Sequence, residues 1–152
     1  MYHDLPQDKI PLLKNNDIVY FQDSTSSKID TFQLDVRDIW DQTLEGDYFR
    51  YIQIYFNKVN PKATFLIFGI TSASVDGANF GIENNSSKVI YNYSFKTINL
   101  AIHGVTYTNV YVGHDNTILL PDTIPDTVYF TCQYGIIRYE YKDGRVYDLV
   151  SK

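Results

Sequence analysis

The three histidines of this sequence are the first residues to consider for metal binding. They stand at positions 3, 103 and 114, and no second histidine or cysteine lies near any of them along the chain. Because zinc sites need several such ligands converging on one point, the spacing gives no support for a metal centre. His103 precedes Gly104 between two apolar runs. We therefore expect it in a two-residue hairpin turn, where a positive φ is needed.

Cys132 is the only cysteine, so no internal disulfide can form. A cysteine nucleophile needs a neighbouring base and an electropositive surrounding, and the sequence indicates neither. By the period of two in a strand, Cys132 shares a side with Val128 and Phe130. We expect a buried, inert thiol.

Carboxylates are concentrated in the irregular stretch 115–126, which contains Asp115, Asp122 and Asp126. The stretch lacks the alternation and the central glycine of an EF-hand loop, so a solvated acidic loop is favoured over a Ca²⁺ site. Asp38 and Asp41 are explained as well by helix-end electrostatics as by acid–base chemistry. The acids expected inside strands are Asp35, Glu140 and Asp148.

Motifs for nucleophilic or phosphate chemistry are absent, including Gly-x-Ser-x-Gly, a glycine-rich phosphate loop and His-Glu-x-x-His. Three short matches to the glycosylation pattern begin at Asn84, Asn85 and Asn92. We therefore predict that the protein is not an enzyme. We predict no catalytic residue, no cofactor and no metal, and the pattern identifies no ligand-binding residues.

The composition is marked by aromatic residues, which make up 16% of the 152 residues, with 14 Tyr and 9 Phe. Rings of this kind either fill a β-sheet core or line a cavity or face that binds an apolar or sugar ligand. The net charge is −5 and there is no basic stripe. Nucleic acid is therefore excluded as an expected partner.

Membrane and targeting signals are also absent from the sequence. No apolar run reaches the roughly 18 residues of a membrane helix, and Met1 leads directly into polar residues rather than a signal peptide. Two interpretations stay open: a cytosolic protein, or a chain whose leader was removed before Met1.

Strand patterns follow one another with turn signals about every ten residues, which predicts a single all-β antiparallel domain over residues 1–152. The architecture expected is a β-sandwich or a partly open β-barrel. Tyr48–Phe56 is apolar on both sides, which indicates a strand covered on both faces. The strands are expected at 18–21, 28–36, 48–56, 64–70, 89–95, 98–102, 105–112, 128–134, 136–142 and 145–150, with a turn or bulged connection at 72–81.

Two segments stand apart from this strand pattern. Residues 38–45 could form one short helix, with Asp38 near its N-cap and Gly46 as its stop, or a loop that places Trp40 over an open end of the core. Residues 1–16 are expected to be a tether or entry segment. Within it, residues 1–10 should contribute little to stability.

The most explicit local signal is Asp143-Gly144, which predicts a two-residue hairpin turn. In that register Lys142 faces Arg145 and Tyr139 faces Asp148. The expected core face carries Ile137, Tyr139, Tyr141, Val146 and Val150. Asp148 on the core face fits only at a sheet rim, near the Tyr139 hydroxyl, or beside a bulge that shifts the register.

Three stretches resemble small secreted lipoproteins of Bacteroidetes-type bacteria. They are KIPLLKNNDIVYFQDSTSSKIDTFQLDV (9–36), GVTYTNVYV (104–112) and YFTCQYGIIRYEYKDGRVYDLV (129–150). The resemblance implies a secreted, cell-envelope location, in the outer membrane or facing the periplasm, and a lipid anchor on a cysteine preceding Met1. It brings no enzymatic motif with it.

The expected function is therefore a non-enzymatic envelope lipoprotein domain with a binding or assembly role, presenting a sheet edge or face to a protein partner. The alternative is a carrier that holds a lipid or other apolar ligand in an aromatic-lined open barrel. A hydrolase with an unrecognised site is the third hypothesis.

Overall fold

In the residues that it describes, the computed structural model is a single curled sheet of 13 strands, and its open, mostly antiparallel form is a half-barrel. The structure describes residues 1–72, 79–84, 89–93, 96–115 and 123–150. The prediction of an all-β antiparallel fold is confirmed, in its partly open barrel form. The strands are β1 Tyr2–His3, β2 Ile18–Asp23, β3 Ile29–Gln42, β4 Tyr48–Lys58, β5 Ala63–Thr71, β6 Asn79–Asn84, β7 Val89–Ile90, β8 Asn92–Tyr93, β9 Ile98–Ile102, β10 Val105–His114, β11 Thr127–Thr131, β12 Gly135–Glu140 and β13 Val146–Val150.

Two runs of neighbouring strands build the sheet. One runs from β2 to β7 and the other from β10 to β13, and in each run consecutive strands pair antiparallel. The runs are joined by β13 and β2, which pair antiparallel from Tyr147↔Asp23 to Val150↔Tyr20. Strands β8 and β9 both pair with β10, and β1 pairs parallel with β4. The strand β13 therefore lies inside the sheet and links its two halves.

Aromatic rings fill the inner side of the half-barrel. Tyr139 is 1% exposed and lies 5.1 Å from the ring of Phe21 and 5.3 Å from that of Phe65. Its hydroxyl donates to Asp30 Oδ2 at 2.9 Å, and Lys58 Nζ lies 3.2 Å from the same oxygen. Burial raises the pKa of the Tyr139 hydroxyl. The Tyr139 hydroxyl therefore has hydrogen-bonding and charged partners within the interior, while its ring stays in contact with the neighbouring rings.

Residues 38–42 belong to strand β3, which corrects the prediction of a short helix at 38–45. The β3–β4 ladder continues to Trp40↔Arg50 and Gln42↔Tyr48, so each of these residues has a cross-strand partner. The tertiary pairing outweighs the weak local helix signal at Asp38. A 3₁₀ turn at Gln7–Lys9 is the only helical element in the described part of the chain. None of the described helices is long and apolar enough to span a membrane.

Residues 1–16 lie against the sheet and do not extend away from it as a spacer would. Strand β1 pairs with the start of β4, and Leu5 and Leu13 are 4% and 6% exposed within the core. The Ser72 hydroxyl donates to the carbonyl of His3. The segment therefore supplies apolar burial and backbone pairing to the fold.

The hairpin at Asp143-Gly144 forms, but with a register one residue different from the predicted one. The amide of Tyr141 donates to the carbonyl of Arg145 at 3.0 Å, and the amide of Gly144 donates back to the Tyr141 carbonyl at 3.0 Å. This pattern encloses three residues instead of two, with Gly144 at φ +90°. Such a loop is the common three-residue alternative, with glycine in the left-handed conformation.

The register shift explains the position of Asp148. Arg138, not Tyr139, lies opposite Asp148, and Arg138 Nη2 donates to Asp148 Oδ2 at 3.0 Å. Tyr147 and Leu149 are buried at 3% and 6% exposure, whereas Val146 and Val150 are only partly buried. The expected core face is thus wrong for β13 and right for Ile137 and Tyr139 in β12 and for Tyr141 just after it.

Several of the remaining strand predictions differ from the structure. Residues 132–134, expected to continue the strand at 128–134, form the turn between β11 and β12. Residues 79–84 form β6 where a turn or bulged connection was expected, and the Asp76-Gly77 signal lies outside the described residues. The single strand expected at 89–95 is two short ones, β7 and β8. The turn at His103-Gly104 is confirmed, with φ of 48° and 79°.

Candidate functional site

The outer side of β3, β4 and β5 carries a continuous aromatic and polar surface. Along β4, Ile52, Ile54 and Phe56 point into the core and are buried, and the intervening residues point outward and are half-buried. The prediction that this strand is covered on both faces is therefore wrong. We call this outward surface the tyrosine face, and it consists of Arg37, Phe49, Tyr51, Gln53 and Tyr55.

Hydrogen bonds tie the side chains of the tyrosine face to one another. The Gln53 amide donates from Nε2 to Tyr51 Oη at 3.0 Å, and Tyr55 Oη donates to Gln53 Oε1 at 3.1 Å. The Arg37 guanidinium lies over the Tyr55 ring, 4.3 Å from its centroid, as cation–π contacts require. The rings are therefore held in fixed positions before any ligand arrives.

Arg37 brings a charge to this face that is already balanced. Its Nη2 and Nε donate to Asp35 Oδ2 at 2.8 and 3.0 Å. That hydrogen-bonded carboxylate raises the pKa of Arg37. The centre of the face thus presents planar groups and hydrogen-bonding atoms with little net charge.

Gly69 on β5 determines how the Tyr51 ring lies. A Cβ built at Gly69 would be 2.8 Å from Tyr51 Oη and 3.2 Å from Tyr51 Cε2. The ring therefore lies against the backbone of β5 in a space that only glycine leaves free. Its other side faces outward.

Two shallow depressions lie at the ends of the tyrosine face. The first has a volume of about 310 Å³ and the second about 610 Å³. The first joins aromatic side chains to a polar margin, and the second combines polar groups with the apolar stems of two lysines. The first is lined by Asp41, Gln42, Thr43, Phe49, Tyr51 and Thr71, and the second by Gln33, Asn57, Lys58, Val59, Lys62, Ala63 and Thr64.

The opposite side of the β3–β4 hairpin carries a second cluster beyond the core. Arg50 donates to Asp38 Oδ2 at 2.7 Å and to Asp4 Oδ1 at 3.0 Å, and these acids raise its pKa. The Tyr2 ring stacks on Tyr48 at 4.6 Å. Trp40, beside Tyr2, is 42% exposed. These contacts hold the N-terminal segment on the hairpin.

The histidines take separate structural roles. His3 stacks on Phe49 at 4.7 Å, and His114 Nδ1 is 3.1 Å from the Thr127 hydroxyl. His103 occupies its turn, at the other end of β10 from His114. Cys132 is buried, and burial raises the pKa of its thiol, as the prediction of an inert thiol requires.

The carboxylates considered from sequence lie in separate groups. Asp115 and Asp126 are adjacent, since the Asp115 amide donates to the Asp126 carbonyl at 2.9 Å. Asp148 and Glu140 both contact Arg138, and Asp35 contacts Arg37. Asp41 accepts a hydrogen bond from the amide of Gln42. Among described residues, no group of three or more His, Cys, Asp or Glu side chains is placed to hold a metal ion.

Some predicted features lie outside the described residues. They include Asp122 of the acidic stretch, together with Asn85 and the serines of the three glycosylation patterns. Asn84 ends β6, and Asn92 begins β8.

The tyrosine face was not identified from the sequence, although a signal for it exists. The polar residues Asp35 and Arg37 alternate with Leu34 and Val36 on β3, which marks one side of that strand as solvent-facing. Because β4 pairs with β3, Tyr51 and Tyr55 must lie on the same wet side. The aromatic content of β4 concealed this relation.

No family model matches this chain, and neither the curated proteins nor the solved structures include a significant match to it.

Proposed function

We propose that this protein is a non-enzymatic binding domain of the bacterial cell envelope that presents its tyrosine face to a protein partner. The envelope location and the lipid anchor are supported by the resemblance of residues 9–36 and 129–150 to secreted lipoproteins. The binding role is supported by the geometry of the face.

The observation that carries the proposal is the preorganised Tyr51–Gln53–Tyr55–Arg37 array. Tyrosine and arginine are enriched at the energetic centres of protein interfaces, because they combine large contact area with hydrogen bonding. Rings that are already fixed lose little side-chain entropy on binding. The Gln53 hydrogen bonds and the Gly69 space fix them here.

The carrier alternative has less support from the structure. A ligand cavity would require space between the inward rings of the half-barrel. Phe32 instead lies 5.6 Å from Phe65 and 5.5 Å from Phe21, within the range of direct ring contact. These rings fill the interior as a core does.

A site-specific photo-crosslinker tests the proposed binding. It replaces Ile39, which borders the tyrosine face and is 42% exposed, or Val105 on β10 as a control, which is 48% exposed. Each protein is irradiated in an envelope extract of a Bacteroidetes-type bacterium. We expect a discrete product with one envelope protein from position 39 and none from position 105.

Gly69→Ala is the matched variant for this experiment. The added methyl group displaces the hydroxyl end of Tyr51 from its position, while leaving the backbone conformation accessible. Stability should be nearly unchanged, and the crosslinked product should decrease. Equal products from both positions, or a product unaffected by Gly69→Ala, would show that this face is not the binding surface.

Native mass spectrometry of protein purified without detergent separates this proposal from the carrier hypothesis. The proposal predicts a mass that corresponds to the polypeptide with no bound small molecule, whether the chain is a monomer or pairs with a second copy. A co-purifying small molecule would instead favour a carrier.

A further inference from the structure

Strand β3 extends beyond its neighbour β2 and leaves an open edge. Its first residues pair with β2, and Leu34 exchanges backbone hydrogen bonds with Asn16 and Asp17 at 2.8 and 2.9 Å. The Val36 amide is capped by Asn15 Oδ1 at 3.1 Å. From residue 37 to 42, β3 is paired only with β4 in the part of the chain that the structure describes.

The direction of the backbone groups along this edge follows from strand alternation. Leu34 and Val36 direct their amides toward the β2 side. Because this direction repeats every second residue, Asp38 and Trp40 direct their N–H and C=O groups to the same side. Both residues are exposed. Gln42 ends the open stretch, since its amide bonds to Asp41 Oδ1 at 2.9 Å.

An open row of donors and acceptors is matched by another β-strand. We propose that the matching strand is the same edge of a second copy of this chain, paired antiparallel about a two-fold axis at Ile39. In this register the outward groups of Asp38 face those of Trp40 in the second copy. The two symmetric pairs form four backbone hydrogen bonds.

Charge complementarity favours this register and favours a second copy of the same chain as the partner strand. Arg37 and Asp41 lie two residues on either side of Ile39, so each faces its opposite charge across the axis. A two-fold axis one residue further on, at Trp40, places Arg37 opposite Thr43, and both Arg37–Asp41 pairs are lost. The Arg37 side chain is 52% exposed beside Asp35, so the Asp41 carboxylate of the second copy adds a further opposite charge to a group that keeps its Asp35 contact. Opposite charges facing each other stabilise antiparallel strands, whereas like charges destabilise them.

Apolar contacts accompany the pairing on both sides of the sheet. On the side of the tyrosine face, Ile39 of one copy contacts Ile39 of the second copy at the axis. On the opposite side of the sheet, the Trp40 rings of the two copies are diagonal neighbours. Both side chains are 42% exposed in the single chain. The dimer also places two tyrosine faces side by side on one continuous sheet.

This inference goes beyond the proposed binding function and does not rest on it. Its readout is the oligomeric state of the purified chain, in which no envelope partner takes part. In the crosslinking experiment above, self-association would give a product of twice the chain mass, which is distinct from a product with another protein.

Sedimentation equilibrium over a wide range of protein concentrations tests the inference with two charge reversals. Arg37→Asp and Asp41→Arg each place like charges opposite one another at both symmetric positions. Each variant alone should dimerise at least about tenfold more weakly than the wild type. An equimolar mixture restores opposite charges at both positions, so it should regain the wild-type mass average.

Lys28→Asp is the control, because it makes the same change in net charge as Arg37→Asp at an exposed position away from the edge. It should dimerise like the wild type, and melting curves confirm that each variant is folded. Hydrogen exchange at the Trp40 amide should slow with concentration in the wild type and in the mixture only.

A wild-type chain that is monomeric at all concentrations overturns the proposal. So does a mixture that associates no more than its two components. Dimerisation equal in the wild type and in both single variants would place the interface elsewhere.

Discussion

Leu5 provides the sharpest test of whether the N-terminal segment is part of the fold. It is 4% exposed in the core, whereas Leu12 in the same segment is 55% exposed. Truncating a buried leucine to alanine costs about 2–5 kcal/mol. Because Leu5 belongs to a short segment that can partly relax, we expect the lower part of that range, about 2–3 kcal/mol.

The assay is thermal unfolding followed by circular dichroism. For a chain of this size each kcal/mol lowers Tm by about 2–4 °C, so Leu5→Ala should lower it by roughly 5–10 °C. Leu12→Ala is the control and should change Tm by no more than about 2 °C. Deleting residues 1–10 should cost at least as much as Leu5→Ala, since it also removes the Tyr2–Tyr48 stack.

The reasoning is refuted if Leu5→Ala lowers Tm no more than Leu12→Ala does. The segment would then be the spacer that its prolines and polar residues predicted.

Two further predictions concern buried polar groups. Tyr139→Phe removes the hydrogen bond to Asp30 and should lower the free energy of unfolding in urea by about 1–2 kcal/mol. Tyr147→Phe is the control, because the Tyr147 hydroxyl bonds to no described residue, and it should cost less than about 0.5 kcal/mol. Equal costs for the two variants would contradict the role of the Tyr139–Asp30 bond. Hydrogen bonds from the Thr25 amide and neighbouring hydroxyls hold the pKa of Asp23 below its usual value. The ionised Asp23 carboxylate therefore stabilises the folded state fully above its unfolded pKa of about 3.9, and this contribution is lost as pH falls through the lower folded pKa. The stability difference between wild type and Asp23→Asn should shrink in that acidic range, and a constant difference would contradict the assignment.

Local patterns in the sequence predicted most strands, because a strand buried on one side carries apolar residues at every second position. The turns at His103 and Asp143 were also accessible, since both depend on residues that accept positive φ. The register after Asp143 was not. A three-residue loop and a two-residue loop can use the same Asp-Gly pair, and the choice depends on pairing Arg138 with Asp148.

The other differences arise from contacts distant in sequence. The strand at 38–42 is determined by its ladder with β4, and the burial of Leu5 follows from the pairing of β1 with β4, which holds the segment against the core. The tyrosine face depends on which side of β4 the rest of the chain covers. No local pattern specifies that side without knowledge of the pairing with β3.

The position of β13 inside the sheet has a consequence for how the chain folds. Val150 pairs with Tyr20, which lies near the opposite end of the sequence, so the entropy of closing a very long loop must be overcome before this pairing is gained. Topologies dominated by such distant pairs fold slowly. During synthesis the β2–β7 half emerges first, and until residues 146–150 follow, β2 has an unpaired edge next to a large aromatic surface. That interval is when the nascent chain is most exposed to aggregation, and when a chaperone would have most effect on its yield.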